Sequence, residues 1–381
     1  MTINRICFLA GSYPSKDMPA SGVFYKELVD NFSKMGIDCR VIHPFPVNLR
    51  REKPLSESVE AVDQNHSITV YRPNCFSFGA KKIAFWNTAY LTAKSYTRAS
   101  ASVFKYLDWR PDVLYGHFIS PAGIVAARLS QITGIPAFIA YGESRPWSIE
   151  TIGVKRSQRL LSSVNGFIAV SSKNKKELLE YGIADEERIA VFPNGVDRNI
   201  FYPRDKEEAR KTLGWSLDKF VVIFVGHFNE RKGLLRLDEA VKNLDDVFVA
   251  YVGEGKLRPT AKNTLHCGPV EHARLPLLLS AADIFVLPTL HEGCCNAIIE
   301  ALACGLPVVS SNLDFNKDVL NNDNSLLIDP HKIDEIRAAI IKIKENPALH
   351  KLLRNGAIES ASRFDLARRT ARIVAWMEEK I

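Results

Sequence analysis

The chain has 381 residues, 46% of them apolar and 24% charged, with a net charge of +7 at neutral pH. That is enough apolar sequence for two domain cores, and no apolar run reaches the roughly 20 residues that cross a bilayer as a helix. Seven cysteines without a Cys-x-x-Cys pair argue against a zinc site or a disulfide framework and for reduced thiols in a cytoplasm.

The N-terminus passes directly into Arg5-Ile-Cys-Phe-Leu-Ala10, a strand pattern with no small-residue cleavage site, so no secretory leader is expected. The strand over 6–10 leads into the loop Gly11-Ser-Tyr-Pro-Ser-Lys-Asp-Met-Pro-Ala-Ser-Gly22, a helix over 23–35 and a strand over 39–42. Further strands are expected over 113–115, 137–140, 166–170 and 189–192, with helices over 122–133 and 174–181. Such alternation builds a parallel sheet with helices on both faces, and ligands bind beyond the carboxyl ends of its strands. His117 stands at one such end, after Val113-Leu-Tyr-Gly116, where an imidazole can donate to a hydroxyl or help position an acceptor. Glu143, in Tyr141-Gly-Glu-Ser144, follows another strand; it can accept from an acceptor hydroxyl or cap the next helix.

Residues 50–110 match no motif. Lys81-Lys82-Ile-Ala-Phe85-Trp86, Tyr90, Lys94, Tyr96, Lys105 and Tyr106 mix basic and aromatic side chains at roughly helical spacing. A buried aromatic face and a basic amphipathic surface lying on anionic lipid both fit that pattern. Residues 1–197 hold 24 Lys and Arg against 18 Asp and Glu, and residues 198–381 hold 26 against 25. The basic excess of the first half suits an anionic surface or acceptor, or is scattered charge without function. No nucleic-acid-binding motif accompanies it.

Pro193-Asn-Gly-Val-Asp197 marks the midpoint, and an Asn-Gly pair that tolerates positive φ suits a hinge. Strands over 221–225, 247–252, 264–267, 284–287, 308–310 and 326–328 then alternate with helices, the last over 365–380. Gly226-His-Phe-Asn-Glu-Arg-Lys-Gly233 leaves the first of these at its carboxyl end. No Asp-x-Asp pair occurs, so a metal-clamped diphosphate is not expected. Its charge falls to side chains and helix ends, with Lys232 the best candidate, at about 1.5–3 kcal/mol per charge-assisted bond.

The stretch from Leu287 to Pro307 is a strand end, a turn through Glu292-Gly293 and a helix opening at Asn296, expected as its N-cap. A helix N-terminus carries unpaired N–H groups and about half a positive charge, which suits a phosphate. Gly293 leaves room for close approach, and the amides of Cys294, Cys295 and Asn296 would face the ligand. Glu292 lies before the helix and Glu300 about one turn beyond Asn296 on the same face, within reach of ribose hydroxyls. A nucleotide diphosphate-sugar fits this layout, and so does a capped core helix with two solvated glutamates.

The Glu292-to-Glu300 spacing resembles the E-x7-E signature of retaining GT-B glycosyltransferases of family four. Pro193-Asn-Gly-Val-Asp197, Phe224-Val-Gly226, Lys232-Gly233, Val252-Gly-Glu-Gly255 and the closing Glu300-Ala-Leu-Ala-Cys-Gly-Leu-Pro307 follow in the family's order along nearly the whole chain. The resemblance implies an α/β protein of two doubly wound Rossmann-like domains facing across a cleft. Residues 1–196 would bind the acceptor and 197–364 the nucleotide-sugar, with the C-terminal helix 365–381 crossing back to the first domain. The implied donor residues are Gly22, His227, Arg231, Lys232, Glu254, Val270, Glu292, Gly293, Cys294, Cys295, Asn296 and Glu300. Ser21, Gly22, His117 and Glu143 fall on the acceptor side, and His117, Lys232 and Glu292 at the reacting centre. The Ser12–Gly22 loop would lie under the donor phosphates and the acceptor, Glu292 would hold the transferred sugar, Glu300 the ribose, and the backbone at Val270 uracil. No cofactor or metal is implied beyond the nucleotide-sugar co-substrate, expected to be UDP-linked. The implied acceptor is a saccharide or lipid-linked saccharide in cell-surface polysaccharide or glycolipid synthesis. The setting is cytoplasmic, at the inner face of the cell membrane if the basic stretch contacts lipid. Two departures stand out: relatives carry arginine at His227, and many read His-Gly-Ser-Asp at Tyr141–Ser144. They keep open an inactive relative that binds sugar nucleotides or a partner enzyme; a nucleotide-sugar epimerase is a second GT-B alternative.

Overall fold

Runs such as Phe220-Val-Val-Ile-Phe-Val225 and Ile284-Phe-Val-Leu287 are apolar at every position, as strands covered on both faces must be. The computed structural model describes residues 1–15, 18–19, 21–48, 56–83 and 86–381, without the side chains of Ile83 and Trp86. It divides into two units, Met1–Phe192 with Ala367–Ile381, and Pro193–Leu366. The boundary expected at 196/197 lies just beyond the first crossover.

The first unit is an eight-stranded sheet. In chain order its strands are β1 (Arg5–Leu9), β2 (Asp38–Ile42), β3 (Glu57–Ala61), β4 (Ser67–Tyr71), β5 (Val113–His117), β6 (Ala137–Tyr141), β7 (Gly166–Ala169) and β8 (Ile189–Val191). They lie in the order β8-β7-β6-β5-β1-β2-β4-β3. Every pair is parallel except β3 with β4. That antiparallel edge hairpin sits in the region without motifs, closed by a turn in which Asp63 accepts from the N–H groups of Asn65 and His66.

Around this sheet run α1 (Val23–Lys34), α2 (Ala89–Tyr106), α3 (Ile124–Thr133), α4 (Trp147–Ile152), α5 (Val154–Leu161) and α6 (Ser172–Glu180). The α-helix expected from 122 begins only at Ile124, because Ser120 is extended and Pro121 offers no N–H; a wide turn over Ile119–Gly123 precedes it. α2 buries Ala89, Ala93, Tyr96 and Ala99 and leaves Tyr106 81% exposed. Part of the aromatic stretch is therefore core; Phe85 lies outside the described residues, as do Lys16, Asp17 and Ala20 of the first loop.

The second unit has β9 (Phe220–Val225), β10 (Val247–Val252), β11 (Thr264–Gly268), β12 (Ile284–Leu287), β13 (Val308–Ser311) and β14 (Ser325–Ile328). All are parallel, in the order β11-β10-β9-β12-β13-β14. Its helices are α7 (Lys206–Leu213), α8 (Leu234–Val241), α9 (Leu275–Ala281), α10 (Asn296–Ala303), α11 (Ile333–Glu345) and α12 (Pro347–Ala361). Arg210 of α7, almost fully buried, donates to Asp283 at 2.7 Å and to the carbonyl of Ala281, and Asp283 also accepts from Val221 N–H. This ties the start of β12 to β9.

The last helix, α13 (Leu366–Glu379), packs Trp376 against Phe138 and Phe192 of the first unit. The two crossover segments pair within the second unit: Val196 N–H donates to Phe364 O and Leu366 N–H to Val196 O. Gly195 is not in the positive-φ region expected of an Asn-Gly hinge. It is needed for proximity, since a Cβ there would lie 2.8 Å from Leu366 Cα.

Candidate functional site

β9 is flanked by β10 on one side and β12 on the other, so the strand order turns back between β9 and β12. The crevice beyond the carboxyl ends at such a point is where open α/β sheets bind ligands. The loops leaving these strands are tied together there: Leu290 N–H donates to Arg231 O at 2.9 Å, and the Thr289 hydroxyl oxygen lies 3.2 Å from the same carbonyl. On this frame Lys232 Nζ stands 2.6 Å from Glu292 Oε1, Arg231 reaches the same oxygen at 2.8 Å, and the Thr289 hydroxyl donates to it at 2.8 Å. Glu292 is buried, and Lys232 is 12% exposed at its side chain. Burial works to lower the Lys232 ammonium, the neighbouring Cys295 sulfur and the Glu292 carboxylate work to raise it, and the net direction is upward. The lysine is charged.

Lys232 also lies 3.8 Å from Cys295 Sγ, which places its ammonium at the mouth of α10. The N–H groups of Cys295, Asn296 and Ala297 make no hydrogen bond among the described residues, as a helix's first turn leaves them. The N-cap of α10 is Cys295, not Asn296 as expected. Asn296 is the first helical residue, and its Oδ1 is engaged by Asn194 Nδ2 at 2.7 Å, which also donates to Cys294 O.

Beside this charged set lies a pocket of about 290 Å³ lined by Gly226, His227, Glu254, Val270, His272 and Leu275, among others. It brings together three of the expected donor residues, His227, Glu254 and Val270. Arg231 lies apart from them, its guanidinium held by His291 O and Glu292. His272 Nε2 lies 3.3 Å from Glu300 Oε1 and its ring 5.2 Å from Phe201. The sequence reading passed over His272, Thr289 and Asn194. Asn194 and Thr289 stand inside the 193–197 and 287–307 stretches and His272 outside both, and all three act through folding contacts that spacing does not display.

In the first unit the order turns back between β1 and β5, and the expected acceptor residues Ser21, Gly22 and His117 leave those strand ends. Gly22 has φ 75°, and a Cβ there would meet Ser12 O at 2.7 Å, so the loop closes only over a glycine. The His117 ring lies 4.3 Å from Tyr25, 4.6 Å from Phe118 and 5.4 Å from Phe24. Its Nδ1 is buried without a partner among the described residues. Burial, and then the charge of Arg369, lower its pKa to about 3, so the imidazole is neutral. Glu143 has the second of its two roles: Oε2 accepts from Ser148 N–H at 2.9 Å in the first turn of α4, and burial pushes its carboxyl up.

Known proteins resemble this chain in sequence and fold. The "Glycosyltransferase Family 4" profile matches residues 21–199, and that of "Glycosyl transferases group 1" matches 205–360. A glycosyltransferase of Bacillus subtilis, named for teichuronic acid biosynthesis, is 30% identical over 355 residues, 89% of this chain and 88% of its own. The chain belongs to glycosyltransferase family four. Another relative, 27% identical over 69% of this chain and 74% of its own, is the Escherichia coli UDP-Gal:alpha-D-GlcNAc-diphosphoundecaprenol alpha-1,3-galactosyltransferase. The Anabaena protein HepE, solved with UDP and glucose, matches the fold with TM-score 0.73 at 18% identity, over 99% of this chain and all of its own. The two Rossmann-like units are those of the GT-B glycosyltransferases. Among the described residues, no helix is long and apolar enough to cross a membrane.

Proposed function

We propose that this family-four glycosyltransferase moves a sugar from a UDP-sugar to a saccharide or lipid-linked acceptor in cell-surface polysaccharide or glycolipid synthesis, with retention and without a metal. The observation that carries the reading is Lys232, held beside Glu292 at the mouth of α10, next to an open pocket at Val270. The relatives' names support the donor and pathway: one uses UDP-Gal on a diphosphoundecaprenol-linked acceptor, and another is named for teichuronic acid.

In this reading the uracil lies at Val270, the ribose hydroxyls at Glu300, and the diphosphate between Lys232 and the first-turn amides of α10. Negative charge grows on the leaving phosphate as its bond to the anomeric carbon breaks. Lys232 and those amides are already oriented toward it, and removing one such preorganised donor typically slows a reaction about 10²–10³-fold. The bonds to Thr289, Arg231 and Lys232 fall on Glu292 Oε1; Oε2, which takes none of them, is assigned to the sugar hydroxyls. The acceptor oxygen bonds the same face of the anomeric carbon, and its proton passes to the departing phosphate oxygen. No glutamate serves as a covalent nucleophile. His117, neutral, accepts from or donates to an acceptor hydroxyl through its imidazole. Ser21, Gly22 and the loop before them border that group.

Product analysis with UDP-sugars, with and without a saccharide acceptor, tests this. The expected result is acceptor-dependent UDP release, retained anomeric configuration and indifference to a chelator. Lys232→Ala and Glu292→Ala keep the native circular dichroism and lose transfer; unchanged turnover in either variant removes that residue from the site. Conversion of the UDP-sugar to an epimer without acceptor would replace the reading with an epimerase. UDP binding with neither outcome would replace it with a binding protein.

A further inference from the structure

α2, α3 and α5 pack side by side on the first unit, α3 touching both neighbours. Together they carry Lys94, Arg98 and Lys105 on α2, Arg128 on α3, and Lys155, Arg156 and Arg159 on α5, and not one Asp or Glu. None of these seven cations has an ion-pair partner among the described residues. Arg128 donates to Gln131, and Arg156 donates to Ile152 O and lies 4.7 Å over the Tyr90 ring. Other helices of the same unit pair cations with carboxylates: Lys26 with Asp30, Lys173 with Glu177 and Lys175 with Glu186, each at 2.8 Å. Between α2 and α3 lies a pocket of about 290 Å³ whose lining includes Lys94, Arg98 and Arg128 and no carboxylate. A separate pocket lined by Lys82 and Arg156 contains Glu150, which belongs to α4 and not to these three helices. Apolar side chains stand among the cations: Leu91 is 48% exposed, Ile132 70% and Tyr106 81%.

We propose that this three-helix face docks on an anionic lipid bilayer, with Lys94, Arg98 and Arg128 receiving a lipid phosphate in the pocket between α2 and α3. Cations interleaved with exposed Leu, Ile and Tyr fit a headgroup layer, where charge is attracted and apolar tips enter the acyl boundary. A nucleic acid would use the charge and leave Leu91 and Ile132 wet. The face rests on charge and exposure alone, independent of the transfer reaction.

The test is co-sedimentation of the full chain with phosphatidylcholine vesicles, with and without phosphatidylglycerol, in the absence of donor and acceptor. Failure here leaves sugar transfer standing, and failed transfer leaves the docking face standing. The expected result is salt-sensitive binding that requires phosphatidylglycerol. Lys94→Gln, Arg98→Gln and Arg128→Gln together cut partitioning about 100-fold, a few-fold for each charge lost near an anionic surface. Lys155→Gln with Arg159→Gln, both on exposed α5 positions, cuts it more than about tenfold and serves if the triple variant misfolds. Lys175→Gln, Lys176→Gln and Lys211→Gln, which remove equal charge at ion-paired sites elsewhere, leave binding as in the wild type. Equal binding to neutral vesicles, equal loss in the triple variant and its control, or binding of single-stranded RNA without vesicle binding would each overturn the proposal.

Discussion

Beyond β9 and β12, the second unit holds a closed electrostatic set: Glu292 Oε1 receives Lys232, Arg231 and Thr289 within 2.6–2.8 Å. Beyond β1 and β5, the first unit holds a neutral histidine among Phe24, Tyr25 and Phe118, with one ring nitrogen unpaired. Both are strand-order reversals in parallel sheets, yet one is built of charges and the other of aromatic faces. The charged end suits a ligand that itself brings charge, because buried cations with one carboxylate can take a diphosphate without leaving an ion unpaired. The aromatic end suits a neutral ligand, since a sugar offers hydroxyls to an imidazole and C–H faces to aromatic rings. Under the proposed function, the nucleotide goes to the charged end and the saccharide to the aromatic one.

The strongest blow to that contrast is Lys232→Ala. It lowers kcat/KM about 10²–10³-fold with circular dichroism unchanged; a loss under about threefold would mean that the charge at the α10 mouth is idle. Next comes His117→Asn, expected to slow transfer about tenfold through lost acceptor positioning while UDP affinity by calorimetry stays the same. A weakened UDP affinity would place His117 on the wrong ligand.

Smaller still is His272→Ala, which frees the Glu300 carboxylate and raises the donor KM about fivefold, with kcat held and His272→Gln restoring most of it. With a 2′,3′-dideoxyribose donor the effect should vanish, since Glu300 then has lost both hydroxyls it reads; persistence of the effect would leave His272 a packing residue.

The gentlest test is a pH series. His117 has its pKa lowered from 6.5 to about 3 by burial, so between those values the unfolded chain binds a proton that the native state refuses. Its stability contribution is whole above pH 6.5 and is lost as pH falls toward 3. His117→Asn should therefore lose Tm less steeply than the wild type between pH 7 and pH 4. Parallel slopes would show that the ring is already protonated or solvated.

Strands such as Val221-Val-Ile-Phe-Val225 and Ile284-Phe-Val-Leu287 were legible because they are continuous apolar runs stopped by Gly226 and Pro288. The edge hairpin escaped, although Ser67-Ile-Thr-Val-Tyr71 alternates, because its partner Glu57-Ser-Val-Glu-Ala61 has a single large apolar residue. Lys232, Glu292 and Glu300 could be named from spacing, but their mutual geometry could not: the Lys232–Glu292 pair closes across a loop of about sixty residues. Asn296 illustrates the limit of local rules. Its propensity favours the cap, and Asn194, about a hundred residues away, takes its side chain instead. Gly195 shows the same override, placed for the approach of Leu366 and not for its own dihedral freedom.

The most direct measurement is a crystal structure of the chain soaked with UDP. The account predicts the diphosphate between Lys232 Nζ and the amides of Cys295 and Asn296, ribose hydroxyls on Glu300 and uracil against Val270. Density for UDP elsewhere, or that pocket left empty at saturating nucleotide, would contradict it.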